Sequence, residues 1–571
     1  MFTSPLSRRS LFLASAAVTG AAALAGCSFD KGESPQTTTN GSGSASSGGK
    51  TYTIDTYNLN VFGPRPSFVN NFSPASPAEG VVGTGFLYEA MLWSDRINGN
   101  ELKPWLASEF SFDRPASKVT MKLRDDATWS DGKPITADDV VYTVMEMPEQ
   151  AEQQKAKGET FDYTAKKVDD LTIEFTWPND KTPIEGDRVV GNLRPKPKHI
   201  FSEQNLATFT NNSNPVTSTP LTLERFTPQQ VTFAVRDDHF IGEIPHVKKV
   251  NWVTYGSEDV ARNLLLQGKM DLATISLQNP QATFESRGEG NKYWTVYANN
   301  AESIIFNTAR APFNDRAVRK AIYAAIDSDK LHALFDIGLP SISPTGLDPA
   351  VWGDQVKSDL TEPHKPDIEA AKKLLADAGW TISGGNLTKD GKSHPLTYKV
   401  VANYTNWATW SDGIKAQLKE ALGLDIKVLK IPEEQLFDQV DKGEYDFSMS
   451  WAASGTHMAQ VYAGMHSKGI APMGEAGANT GRIKDPELDK LLDAAAAELD
   501  EAKLKDIGHQ LQQRVVDECY IGPVNPGASF IEVSGANWTG YADKLEGDVA
   551  VPLMYGTADT WRTLQTVVPK R

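Results

Sequence analysis

Apolar positions recur along the chain with two different periods, and the period that holds in each stretch predicts its element. Val119, Met121 and Leu123 alternate with polar residues, as in a strand buried on one face. The turn Trp129-Ser130-Asp131-Gly132 follows, and Thr136 with Asp139 three residues on forms a capping box that predicts a helix from near Ala137. Val318, Ile322 and Ala325 return at helical spacing. So do Ile368, Ala371, Leu375 and Ala378, with Gly379 at the C′ position that favours a left-handed backbone. Asp485 before Pro486 starts another helix, whose stripe is Leu488, Leu491, Leu492, Ala495 and Leu499. Strands are expected at Leu396–Ala402, Ile426–Ile431 and Phe447–Trp451, with a helix striped by Trp410, Ile414, Leu418 and Leu422 after the first. Strand, helix, strand in that order predicts a parallel sheet with right-handed crossovers. Ligands bind such sheets at the carboxyl ends of strands, where Trp451 stands.

The first fifty residues bear on the compartment. Arg8 and Arg9 precede the apolar run LFLASAAVTGAAALAG, which stops at Cys27. The run is short of the ~20 residues of a spanning helix and lacks a charged stop-transfer cluster, so residues 1–26 are expected to be a cleaved signal peptide. Leu24-Ala25-Gly26-Cys27 resembles the bacterial lipobox, which implies a diacylglycerol on the Cys27 thiol; a stray cysteine behind an ordinary signal peptide is the competing reading. Two acyl chains, at ~0.8 kcal/mol per buried methylene, would hold the protein on the outer face of the bacterial cytoplasmic membrane. SRRSLFL resembles a twin-arginine export signal, with Leu11 where Phe is commoner, and a merely cationic leader fits it equally. Residues 27–50 form the lipidated linker, whose Gly/Ser content reads as a flexible coil reaching roughly 25 Å.

The residues beyond 50, in a chain 40% apolar overall, are too many for one core and too apolar for disorder, so two or three domains are expected. The net charge is −16, and −18 once Arg8 and Arg9 leave with the signal peptide, which repels nucleic acid and anionic headgroups. Of the two cysteines an acylated Cys27 cannot pair, leaving Cys519 as a small buried residue. HExxH, GxSxG, Walker and CxxC motifs are absent, and GVVGTG at 80–85 has the wrong order for a dinucleotide loop and reads as a turn. Among nine scattered histidines, His457 and His466 stand at no recognised ligand spacing. No cofactor, metal or catalytic residue is nominated. A catalytic group can still be assembled from distant positions, so a secreted lipoprotein hydrolase acting on peptides or glycans is the alternative class.

The segment LKPWLASEFSFDRPASKVTMKLRDDATWSDGKPITADDVVYTV resembles the signature region of the family 5 extracellular solute-binding proteins, the peptide, nickel and oligosaccharide receptors of ABC importers. The similarity continues in order through PKPKHIF, LLLQGKMDLA, IIFNTARAPFNDRAVRKAIYAAID, PDIEAAKKLLADAGW, GEYDFSMSW and DPELDKLLDAAAAELD. It implies an α/β fold, the two-lobed periplasmic-binding-protein fold in its type II-like, large three-domain variant. Lobe I would comprise residues 51–75, 214–300 and 520–571 with a subdomain inserted at 76–213, and lobe II residues 301–519. Hinge crossings would fall near Phe306-Asn307 and near Cys519–Pro526. The resemblance further implies a monomeric binding protein that is not an enzyme, touches the membrane only through its lipid, and passes an oligopeptide or oligosaccharide to importer permease subunits. One departure is TSTPL at 217–221, where the family has GTGPY; losing two glycines predicts a stiffer turn.

In the peptide-binding members a carboxylate three residues after the tryptophan of this strand receives the ligand's ammonium. That tryptophan matches Trp451 and the acidic position matches Ser454. A buried ammonium without a counter-charge costs several kcal/mol, so another acid compensates or the ligand lacks a free amine. Asn70-Asn71-Phe72-Ser73-Pro74 resembles an early loop of oligosaccharide-binding members, and FTPQQVTF a later one. Trp451, Ser454, His457, Asn71, Phe72 and Trp407 are therefore the ligand-binding candidates, each against a plainer role: core packing for the tryptophans, with Trp407 merely starting its helix, and simple exposure for Ser454 and His457. Peptide and oligosaccharide both stay open. Replacing Cys27 with Ser is expected to abolish acylation and release the protein to the medium, as fractionation would show; retention of that variant in membranes would refute the lipobox reading.

Overall fold

The computed structural model describes residues 54–60, 84–156, 161–178, 185–552 and 558–570. Its spine is a ten-stranded sheet. From one edge the strands run Lys427–Ile431, Thr397–Val401, Phe447–Ala452, Lys292–Phe306, Ile521–Val533, Leu272–Ala273, Thr56–Leu59, Lys249–Val253, Gln230–Val235 and Leu221–Thr227. The first three are mutually parallel, with the helix Thr405–Leu422 linking two of them, as the strand-helix-strand order predicts. Lys292–Phe306 and Ile521–Val533 pair antiparallel along most of their length and join the two halves of the sheet.

Apolar side chains gather into two large, separate cores, and each long strand feeds both. Trp294 and Val296 belong to the first core and Ile304, Ile305 and Phe306 to the second; on the partner strand Ile531 and Val533 serve the first, Ile521 and Val524 the second. Between those stretches the ladder breaks register at Ala298–Asn300, and again between Glu302 and Ser303. Phe306 and Asn307 are not at that break. Both are fully buried at the far end of the strand, where Phe306 pairs with Phe447 and the Asn307 amide donates to the carbonyls of Gly443 and Tyr445.

A separate four-stranded antiparallel sheet runs in the order Ala107–Asp113, Lys118–Leu123, Thr172–Thr176, Thr164–Lys167. The helix expected near Ala137 starts there, and Asp139 shows why WSDGKPITADD hangs together. Its carboxylate accepts the backbone N–H of Thr136 (3.0 Å), that of Lys198 (2.9 Å) and the indole N–H of Trp129 (3.3 Å). The turn expected at 80–85 is corrected in part: Thr84–Leu87 is a short helix, and residues 80–83 lie outside the described residues. In place of glycines, Thr217, Ser218 and Thr219 are buried and stapled by their hydroxyls. Thr217 donates to the Leu221 carbonyl, Thr219 to that of Phe86, and Ser218 accepts from the N–H of Glu89. Leu499 departs from its predicted stripe, being 52% exposed beyond a helix that ends at Ala497.

At the register break the chains approach closely: a Cβ on Gly527 would meet the side-chain oxygen of Asn300 at 1.7 Å. Gly527→Ala is expected to destabilise the protein by about 1–3 kcal/mol through this overpacking, and Asn300→Ala in the same chain to restore part of the loss. Chemical denaturation of the two single variants and the double variant checks the coupling; strictly additive effects would remove the contact as the cause.

Candidate functional site

Phe447 and Met449 are buried on one face of the strand Phe447–Ala452, and the same alternation carries Trp451 out at its carboxyl end, 41% exposed. Helices following the neighbouring strands supply its aromatic surroundings. The Phe437 ring stacks on Trp451 at 5.5 Å, while Trp407 and Tyr404 lie tilted against it at 5.0 and 6.1 Å. Trp407, 1% exposed, backs the Trp451 indole and does not itself face solvent. One half-exposed aromatic face, fixed by three buried or partly buried rings, is the result.

Directly opposite Trp451 on the next strand is Glu302, and opposite Glu302 on the strand after it is Asn525. Residues paired across antiparallel strands project to one face, so Trp451, Glu302 and Asn525 form a row over three strands. The Asn525 amide donates to the Glu302 carboxylate at 2.8 Å. Glu302 is only 6% exposed, and burial pushes its carboxyl up to about 7, with Asn525 and the Trp407 indole pulling the other way. The side-chain oxygens of Asn300 and Asn525 are buried beside the break with no hydrogen-bond partner among the described residues.

The loop after Trp451 is tied to the same break. The Gly455 N–H donates to the Asn299 carbonyl at 2.8 Å, and Ala453 is held at φ +50, a left-handed conformation unusual for a residue with a Cβ. Ser454 is exposed in this loop. His457 has a local job: its Nδ1 accepts the Ala459 N–H at the start of a short helix, and its Nε2 lies 3.5 Å from Glu501. Cys27, Asn71 and Phe72 lie outside the described residues.

Several hydrogen bonds reach across from the other lobe: Gln278 donates to the Leu334 carbonyl at 3.3 Å and the Asn279 N–H to that of Asp336 at 3.0 Å, and two more lie nearer Trp451. Thr456 donates to the Glu185 carboxylate at 2.7 Å, and the Thr405 N–H, opening the helix under Trp407, donates to Glu258 at 3.2 Å. Glu258 also accepts the Ser276 N–H at 2.9 Å, and burial raises its carboxyl. Sequence reasoning brought out Trp451 and its loop but missed Glu302, Asn525, Phe437 and Tyr404. For Glu302 a signal existed: it is the lone acid in the otherwise neutral, buried run Ala301–Phe306.

Residues 101–472 match the family model described as bacterial extracellular solute-binding proteins, family 5 Middle. Protein XP55 of Streptomyces lividans is 25% identical over 505 residues, covering 85% of this chain and 86% of its own. The chain superposes on a mannohexaose-bound periplasmic oligopeptide-binding protein of Thermotoga maritima with a TM-score of 0.78 at 21% identity, covering 90% of this chain and 99% of that one. It superposes on the oligopeptide-binding protein AppA of Bacillus subtilis, in complex with a nonapeptide, with a TM-score of 0.72 at 20% identity and the same coverage.

Glu302 gives this site a pH signature. Its value in the fold stands above the ordinary carboxylate 4.5, so the stability tied to it is full below about pH 4.5 and is lost as pH rises toward about 7. Glu302→Gln removes that loss while keeping an oxygen for the Asn525 amide. The variant is expected to match the parent near pH 4.5 and to exceed it above pH 7, by roughly 3 kcal/mol at most. Thermal unfolding across that range checks the sign; a difference independent of pH would refute it.

Proposed function

The chain belongs to the family 5 bacterial extracellular solute-binding proteins, and from that premise we propose that it is the lipid-anchored receptor of an ABC importer, capturing an oligomeric solute between its two lobes and delivering it to the membrane permease. The observation that carries this reading is the row Trp451-Glu302-Asn525 at the join of the two cores, with the half-exposed indole at one end and unpartnered amide oxygens beside it. A flat apolar face next to neutral hydrogen-bonding groups suits a sugar ring, so an oligosaccharide is the ligand class the geometry favours. Ser454, exposed in the loop that follows the indole, adds a neutral hydroxyl.

Glu302 favours a second reading. A buried carboxyl one strand away from Trp451 is the acid that Ser454 is not, and an ammonium entering the row would hold it ionised. A peptide would then be oriented by Glu302. The lipid on Cys27 and the tether at 27–50 complete the proposal, giving a soluble receptor the reach to meet a permease at the membrane surface.

Thermal shift of the mature protein against α- and β-linked oligosaccharides, free di- to pentapeptides and their N-acetylated forms decides among these readings. Binding raises Tm with ligand concentration over Kd, without turnover. Trp451→Ala is expected to weaken a saccharide by more than 1 kcal/mol, about fivefold or more in Kd. Glu302→Gln should matter chiefly for ligands with a free amine. Catalytic turnover of any bound oligomer would replace the receptor reading with the hydrolase one, and indifference of every ligand to both substitutions would displace the site.

A further inference from the structure

A second cavity, of about 540 Å³, opens within the second lobe, away from the Trp451 row. Its walls are the helices Arg316–Ala324 and Ile368–Asp377 and the segment from Val516 to Ile521 that leads into the second crossing strand. Ala324 and Ala370 are too small to fill the gap between the helices, and its volume is that of small-molecule sites rather than of a packing defect, which side chains would collapse to fill.

The polar inventory of the cavity begins with His364, whose ring stacks on Tyr323 at 4.1 Å and whose buried Nε2 has no hydrogen-bond partner among the described residues, so it is a polar group an occupant could meet. The Tyr323 hydroxyl is already used, donating to the Pro523 carbonyl at 2.9 Å. Cys519 is buried, and burial pushes its thiol up to about 12, which leaves it neutral and inert. Leu374, Val516 and Ile521 contribute only hydrocarbon. Charge enters through Lys320, Lys373 and Asp377. Lys373 is paired with Asp377 at 2.6 Å, whereas Lys320 has no carboxylate partner among the described residues. Two ammonium groups against one carboxylate leave one cation over, on a chain whose net charge is −16. Lysine stems lie along apolar walls while the charged end stays wet, so this cation sits where a hydrophobic occupant's polar end would emerge.

We propose that this cavity is a binding site, independent of the cleft at Trp451, for an amphipathic monoanion with a single hydrocarbon chain, such as a fatty acid. The hydrocarbon lies against Tyr323, Leu374, Val516 and Ile521, and the carboxylate meets Lys320. The site adjoins the second crossing strand: a Cβ on Gly522 would meet the Tyr323 ring at 2.7 Å, so the ring that walls the cavity also rests on that strand. An occupant therefore braces Tyr323 against it.

Calorimetry with submicellar laurate tests the site on the full mature chain. One saturable site per chain is expected, with dodecanol and dodecyltrimethylammonium at least tenfold weaker. Ala370→Trp, which fills the gap, and Lys320→Glu, which reverses the unpaired charge, are each expected to weaken laurate tenfold or more, with folding checked by near-ultraviolet circular dichroism. Trp451→Ala should leave laurate affinity unchanged. Absence of saturable binding overturns the proposal, as does equal affinity for the trimethylammonium probe. Loss of binding in Trp451→Ala together with its retention in Ala370→Trp would assign laurate to the cleft and also overturn it. Since none of these outcomes depends on which solute fills the cleft, the proposal and the receptor reading fail separately.

Discussion

The pairing of Lys292–Phe306 with Ile521–Val533 is the contact on which the other features rest. Each strand places apolar residues in both cores, so the ladder between them links two separately packed bodies through backbone hydrogen bonds. Such a ladder is stiff where register is kept and yields where it is broken. The break at Ala298–Asn300 leaves amide oxygens unpaired, gives the Asn299 carbonyl to the Gly455 N–H, and so fixes the loop that begins after Trp451. Site and join are thus one construction: the irregularity that separates the cores also positions the polar groups beside the indole.

Much of the second lobe was legible in its hydrophobic periods. Phe447, Met449 and Trp451 alternate as expected, the helix with the Trp410, Ile414, Leu418 and Leu422 stripe packs that face inward, and Asp485 caps the helix it precedes. Failures came where a nonlocal or competing local interaction decided. Leu499 fits its stripe, yet Asp500 accepts the N–H groups of Ala502 and Lys503 and so starts a new helix, cutting the first one short. Phe306 ends its strand as its sequence suggests, whereas the register breaks farther up that strand, opposite Asn525–Gly527, follow from the partner strand and have no local signal. Phe437 hides beside Leu436 in an amphipathic helix, and nothing in its own neighbourhood points to Trp451.

The buried acids follow the same division between local and distant causes. Glu302, Glu258 and Glu532 are each nearly enclosed, and each is held by a group remote in sequence: the Asn525 amide, the N–H groups of Ser276 and Thr405, and the N–H of Ile275. Burial raises all three carboxyls. None is paired with a lysine or arginine among the described residues, so their cost is met only by neutral donors. Carboxyls in that position respond to a nearby cation or hydroxyl far more strongly than exposed ones would, because little solvent screens them.

That sensitivity bears on how the proposed capture can be selective. The direct bonds from one lobe to the other, Thr456 to Glu185, Thr405 to Glu258, Gln278 to the Leu334 carbonyl and Asn279 to that of Asp336, are single hydrogen bonds, each worth about 0.5–1.5 kcal/mol net. Four such bonds at about 1 kcal/mol each fall short of the roughly 5.5 kcal/mol of differential binding that moves a two-state equilibrium from 1:99 to 99:1. The difference must come from groups that gain a partner only when a ligand arrives. On the proposed reading the exposed face of Trp451 and the unpartnered oxygens of Asn300 and Asn525 would be such groups, and they sit where the two bodies join. A solute that satisfies them from one side only binds without shifting the lobes; one long enough to touch the row and the opposing lobe at once supplies the missing energy, which makes ligand length, as well as chemistry, a determinant of closure.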